Sequence, residues 1–86
     1  MGYKAVYRKA AQKSLEKQPR WVQIRIMDAV DALPNGDVRK LQERDGYRLT
    51  VGGFRVLFNY TDTLTDDGFL IIDVFLVGPR GDVYKS

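Results

Sequence analysis

Residues 47–58 read Tyr-Arg-Leu-Thr-Val-Gly-Gly-Phe-Arg-Val-Leu-Phe, and this stretch decides the fold class. Apolar and polar side chains alternate on both sides of a Gly-Gly pair, a pattern typical of two half-buried strands joined by a tight hairpin turn. Successive side chains of a strand point to opposite faces of its sheet. We therefore predict an antiparallel hairpin whose apolar face is covered and whose other face carries Arg48 and Arg55.

The segments that flank this hairpin complete the fold. Residues 69–77 are almost continuously apolar, as in a central strand, and a polar hairpin loop at 61–68 precedes them. On the N-terminal side, residues 3–8 alternate as a first strand. The next two segments have helical patterns: residues 9–18 are good helix formers, and an apolar stripe runs from Val22 to Leu33.

Residues 37–45 are polar and predict an irregular connector. The resulting order is an N-terminal strand, two helices and a three-stranded antiparallel meander. Because the helices must bury their apolar stripes, we expect both on one face of the sheet, in a two-layer α+β domain. A chain of 86 residues has room for a single domain, which we place at residues 1–86.

Composition excludes several classes of site. The chain has no cysteine and no histidine, so disulfides, thiolate catalysis and the commonest zinc ligands are excluded, and we expect no metal and no cofactor. Its apolar runs are too short to span a bilayer, so we expect no membrane partner, and the absence of cysteine fits a reducing compartment, so we expect a cytoplasmic protein. The net charge of +3 indicates a polyanion or an acidic protein as partner.

Three arginines and a tyrosine form the candidate site. Alternation places Arg48 and Arg55 on one sheet face, and Arg80 and Tyr84 follow the last long strand. Clustered guanidiniums repel one another unless an anion lies among them, and their planar N–H donors match the oxygens of a phosphate. The alternative is that each arginine pairs with a carboxylate or lies over apolar neighbours.

Apolar residues also point away from the helices. On simple alternation they are Leu57, Phe69, Ile71, Phe75 and Val77. A contiguous apolar surface of this kind is typical of a partner-binding site, for which Leu57, Ile71 and Phe75 are the candidates. The alternative is that a loop or the C-terminal tail covers them.

The order of these segments resembles RelE-type toxins of the RelE/ParE toxin–antitoxin superfamily. The resemblance covers nearly the whole chain. It is carried by the opening strand at 3–7, the helix at 24–33, Leu41, the paired motifs within 47–58, and Val77-Gly78-Pro79-Arg80 through Val83-Tyr84.

The resemblance implies the toxin of a type II toxin–antitoxin system. Such a toxin is a ribosome-dependent mRNA endonuclease that cleaves the message in the ribosomal A site without a metal, and a cognate antitoxin blocks it. The family's catalytic positions correspond to Arg48, Arg55, Arg80 and Tyr84. Arg55 and Arg80 are then expected to hold the scissile phosphate, with attack by the neighbouring 2′-hydroxyl.

The chain departs from the family at the general base. Members often have lysine where this chain has Thr50 and Arg48. Lysine can be tuned to act as a base, whereas arginine stays protonated. Tyr84, Glu43 and Asp45 are the remaining candidates.

Two other functions stay open. A ParE-like chain shares the fold and inhibits DNA gyrase instead of cutting RNA, and Thr50 favours this alternative. A degenerate toxin would only bind its antitoxin. Four helical cations are expected to contact RNA or to form a solvated face: Lys9, Lys13, Lys17 and Arg20.

Overall fold

The structure is a computed structural model that describes residues 2–79. Within this range the elements are β1 (Tyr3–Tyr7), α1 (Lys9–Glu16), α2 (Arg20–Asp31), β2 (Asp37–Lys40), β3 (Tyr47–Val51), β4 (Phe54–Leu64) and β5 (Leu70–Pro79). The strands form one mixed sheet in the order β1-β5-β4-β3-β2, in which β1 runs parallel to β5 and the other pairs are antiparallel. The predicted α+β architecture is confirmed.

Both helices bury an apolar stripe against the same face of the sheet. Helix α1 packs on β5 and β1, and α2 packs on β1 and β3. Pro19 precedes the first helical residue of α2, where its missing N–H costs nothing because the first amides of a helix have no partner within it. No helix within residues 2–79 is long and apolar enough to cross a membrane.

The core lies between the helices and the sheet, and Phe58 is at its centre. Phe58 is 0% exposed, stacks on Tyr47 with ring centroids 5.7 Å apart, and meets Tyr60 edge-on at 5.3 Å. The buried residues around it come from both helices, from the turn that follows α2, and from β3, β4 and β5: Ala11, Leu15, Val22, Ile26, Val30, Leu33, Leu49, Val51, Val56, Ile72, Val74 and Val77.

The connector predicted at residues 37–45 contains a strand. Strand β2 pairs with β3 along its whole length, which adds an edge strand that the polar sequence did not predict. Only Val38 of its four residues packs against the core, and three charged neighbours surround it. Charged side chains are common on edge strands because they discourage pairing with another chain.

A β-bulge in β5 makes its alternation differ from the predicted one. Leu57 pairs with Leu76 and Phe58 pairs with Val74, so Phe75 is an extra residue with no partner in this register. Such an insertion reverses the facing of the residues that follow. Val77 therefore lies in the core at 2% exposure, and its predicted position on the opposite face was wrong.

Candidate functional site

We call the sheet face opposite the helices the open face. Where β2 to β5 lie side by side, it is built from two rows of cross-strand neighbours. One row is Arg39, Arg48, Leu57 and Leu76, and the other is Asp37, Thr50, Arg55 and Gly78. The residues between them along each strand pack into the core, which fixes the side to which the rows point.

Arg48 and Arg55 lie on the open face as alternation predicts. Arg48 is opposite Leu57 on β4, and Arg55 is two residues before Leu57 on the same strand. Diagonal neighbours of this kind are about 7–8 Å apart, within reach of two long side chains. Both arginines are half-buried. The sheet thus brings two permanent cations close enough to contact one anion.

Contacts with the β3–β4 turn hold Arg55 in place. Its Nη1 donates hydrogen bonds to the carbonyl oxygens of Gly52 at 3.1 Å and Phe54 at 3.0 Å. Gly52 has φ +60°, a left-handed conformation that suits glycine in a tight turn. Within residues 2–79, no carboxylate forms an ion pair with Arg55 and its buried Nε has no hydrogen-bond partner. Neutral carbonyl groups of the turn therefore orient the guanidinium.

The carboxylate of Asp73 on the open face is already occupied. Arg8 binds it through two nitrogens, with Nε–Oδ1 at 3.0 Å and Nη2–Oδ2 at 2.6 Å. The hydrogen bond and the charge of Asp73 raise the pKa of Arg8 above its ordinary value. Asp73 therefore forms a bidentate ion pair with Arg8.

Cations also cover the aromatic ring on this face. The Arg44 guanidinium lies 4.7 Å and that of Arg8 6.0 Å from the centroid of Phe75. Both distances are within the range of cation–π attraction. The open face is therefore lined by guanidinium groups beyond the two that alternation predicts.

Solved structures resemble this fold, and two of them are described below, whereas no protein-family model and no curated protein gives a significant match. The first is the toxin–antitoxin complex RelBE2 from Mycobacterium tuberculosis, with TM-score 0.69, 16% identity, 93% of this chain and 100% of that chain covered. The second is the RelB–RelE antitoxin–toxin complex from Methanococcus jannaschii, with TM-score 0.67, 19% identity, and 93% and 95% coverage. This chain has the fold of a RelE-type toxin.

The other predicted site residues occupy different parts of the RelE-type fold. Glu43 and Asp45 are exposed in the loop between β2 and β3, immediately before the strand that carries Arg48. Arg80 and Tyr84 lie outside the described residues. The exposed cations Lys9, Lys13, Lys17 and Arg20 belong to the helical layer, on the opposite side of the sheet from Arg48 and Arg55.

The predicted partner-binding residues are less exposed than alternation implies. Leu57 is 2% exposed, and Ile71 and Phe75 are half-buried. Among the described residues, larger apolar exposure occurs in two places. Trp21 is 66% and Ile24 is 44% exposed on α2, and on the sheet Leu64 at the end of β4 is 58% and Val6 on β1 is 51% exposed. Trp21 borders a groove of about 120 Å³ between α2 and the β3–β4 hairpin.

Sequence reasoning missed Arg39 on the open face, as it missed Arg8 and Arg44. Arg39 lies on β2, directly opposite Arg48 on β3. The sequence pattern that would indicate a strand here is weak, because β2 has four residues and one apolar side chain. Periodicity over so short a segment does not distinguish a strand from a loop.

Proposed function

We propose that this chain is the toxin of a type II toxin–antitoxin system and that it cleaves mRNA in the ribosomal A site without a metal. The observation that carries the proposal is the position of Arg48 and Arg55 on one sheet face. Among the described residues, Arg55 has no carboxylate to neutralise it. The likeness to chains of two toxin–antitoxin complexes supports the toxin role.

The arginines suit cleavage by the RNA's own 2′-hydroxyl. The 2′-oxygen attacks the adjacent phosphorus and the bond from phosphorus to the 5′-oxygen breaks, which gives a 2′,3′-cyclic phosphate and a 5′-hydroxyl. Negative charge builds up on the phosphoryl oxygens in the transition state. Fixed guanidiniums stabilise this charge more than the single charge of the ground state, and they also hold the reacting atoms in line.

In this proposal Arg55 and Arg80 bind the scissile phosphate, with Arg80 near the leaving oxygen. Arg48 contributes the third cation. The proton of the 2′-hydroxyl passes to a general base, for which Tyr84, Glu43 and Asp45 are the candidates, and the 5′-oxygen takes up a proton as it leaves. General-base catalysis contributes about 10²–10⁴-fold.

Cleavage on programmed ribosomes tests the proposal. The purified chain is expected to cut the message in the A site, and Arg55→Ala is expected to lower the rate about 10²–10³-fold, as for removal of one donor that stabilises an oxyanion. Arg80→Ala should have an effect of similar size. The control is Lys40→Ala, which removes an exposed cation from the helix side of the sheet and should leave the rate unchanged. Equal cleavage by all four proteins would overturn the proposal.

Gyrase inhibition is the second candidate function, because Thr50 stands on the open face where RelE-type toxins often have lysine. In a supercoiling assay, inhibition of DNA gyrase without mRNA cleavage would assign the chain to this class. Normal growth on strong expression without an antitoxin would instead indicate a chain that only binds its partner.

The proposed partner is a cognate antitoxin that covers the open face. Its gene is expected beside that of this chain and should encode a segment with acidic residues to match Arg48 and Arg55. Copurification of the two products, with loss of cleavage in the complex, tests this part. A complex that cleaves as fast as the toxin alone would contradict it.

A further inference from the structure

Arg39 adds a cation on a third strand, β2, to the pair formed by Arg48 on β3 and Arg55 on β4. Its neighbour Val38 packs against the core, so Arg39 points to the open face. The register places it directly opposite Arg48. Arg39 therefore adds a cation beside Arg48 on the open face, on the edge strand of the sheet.

Little in the described part of the chain neutralises Arg39. Within residues 2–79, Arg39 forms an ion pair with Asp37, with Nε and Oδ1 3.8 Å apart and the side chains 71% and 58% exposed. An exposed pair at this distance contributes very little. Protection of the sheet edge needs charged residues on β2, but Asp37 and Lys40 already supply them.

The spacing of the arginines exceeds what one phosphate needs. Arg39 and Arg48 share one row of the open face, on β2 and β3, and Arg55 on β4 lies in the other row. Neighbouring strands are about 4.8 Å apart, so these three positions span about 10 Å across the sheet. The oxygens of a single phosphate are much closer together than this, whereas successive phosphates of a chain that crosses the strands match this span.

We propose that Arg39 binds an RNA backbone phosphate next to the scissile one, an inference that rests on the proposed nuclease function. Arg39 is a binding residue and takes no part in bond making or breaking. A contact to a neighbouring phosphate is the same in the ground state and the transition state, so it lowers KM and leaves kcat unchanged. It carries no sequence preference, because phosphates are the same in every RNA.

Two variants of the same strand test this role. Arg39→Ala and Lys40→Ala remove one positive charge each from adjacent exposed positions, but Lys40 lies on the helix side with its partner Tyr47. On programmed ribosomes, Arg39→Ala should raise KM about tenfold with unchanged kcat, whereas Lys40→Ala should match the parent chain. Arg39→Lys should restore most of the loss, because it keeps the charge.

Salt dependence gives a second readout. The probe is a single-stranded oligoribonucleotide with one 2′-deoxy residue at the scissile position, which binds but is not cut. Loss of one phosphate contact lowers the slope of log affinity against log salt concentration by about 0.7 for a single strand. Arg39→Ala should show this change and Lys40→Ala should not.

The outcomes separate this inference from the proposed function. If Arg39→Ala and Lys40→Ala behave alike while Arg55→Ala abolishes cleavage, the role of Arg39 is wrong and the nuclease stands. A fall in kcat with unchanged KM would also overturn the binding role. If the parent chain neither cuts nor binds RNA, both proposals fail together. Because both side chains are exposed, each variant should fold like the parent chain, and thermal unfolding checks this.

Discussion

Leu57 and Phe58 are neighbours on β4, and both are buried, at 2% and 0% exposure. Phe58 is enclosed by the helices and by the rings of Tyr47 and Tyr60, whereas Leu57 belongs to the open face, between Arg48 on β3 and Leu76 on β5. One strand therefore supplies a hydrophobic core on one side and the floor of a cationic surface on the other. Residues on the helix side of β4 stabilise the fold, whereas residues on the open face are available to bind a ligand.

We call the sheet face that packs against the helices the covered face. Truncating a side chain on this face should have the largest effect on stability. Phe58→Ala should lower the free energy of unfolding by about 3–5 kcal/mol, because it removes a central ring and leaves a cavity among close-packed neighbours. Leu57→Ala should cost less, about 2 kcal/mol, because long side chains around it can move into the space. Urea unfolding of both variants measures the difference. Equal losses would mean that the open face contributes as much to the core as the helix side does.

For Thr50, a polar residue of the open face, we expect a change in activity with little change in stability. Thr50 is half-buried between Asp37 and Arg55 in the register. Thr50→Lys would place an amine near the guanidiniums of Arg48 and Arg55, which lower its pKa and so favour a neutral base. The carboxylate of Asp37 acts in the opposite direction, but it is shared with Arg39. If the proposed nuclease function holds, the single-turnover cleavage rate should rise about 10–100-fold and acquire a new basic limb in its pH profile.

Thr50→Ser is the control for this substitution, since it keeps the hydroxyl and adds no base. Its cleavage rate should equal that of the parent chain, and the unfolding free energy of both variants should change by less than about 1 kcal/mol. An unchanged rate and pH profile in Thr50→Lys would show that the base acts from another position, such as Glu43 or Asp45.

The sequence was informative where segments are long and periodic. The hairpin at 47–58, both helices and the facing of Arg48 and Arg55 follow from the spacing of apolar residues, because each face must be either buried or solvated. Strand β4 continues to Leu64, however, into the predicted loop at 61–68. Thr61 donates a hydrogen bond from Oγ1 to the carbonyl oxygen of Ile71 at 2.8 Å, a long-range contact that local polarity does not predict.

The remaining differences also arise from tertiary contacts. Strand β2 exists because its backbone pairs with β3, so its polar side chains carry no signal of a strand, and Arg39 was missed for that reason. The bulge at Phe75 is set by the register between β4 and β5, and a single sequence shows an unbroken apolar run there. Both features alter which residues reach the open face. A single sequence therefore predicts the two main arginines better than it predicts the surface around them.

The smallest effect concerns a polar group on the covered face. Tyr7 packs against the core, and its buried hydroxyl has no hydrogen-bond partner among residues 2–79. Burial, followed by the charge of Asp31, raises the pKa of Tyr7 to about 12. Because an unsatisfied buried hydroxyl is unfavourable, Tyr7→Phe should leave the free energy of unfolding at pH 7 unchanged or raise it by up to about 1 kcal/mol.

The pH dependence of stability tests the same hydroxyl. A raised pKa in the folded chain stabilises it below the unfolded value near 10, and this contribution is lost as the pH rises from about 10 to about 12. Tyr7 can lower the free energy of unfolding by at most about 1.4 kcal/mol per pH unit. Partial burial of the ring makes this slope smaller. Burial also raises the pKa of Tyr60, so the parent chain and Tyr7→Phe share part of the decline. Urea unfolding between about pH 9 and pH 11 should therefore show a shallower loss in Tyr7→Phe, and two superimposable curves would mean that the hydroxyl is solvated and that the covered face admits water at β1.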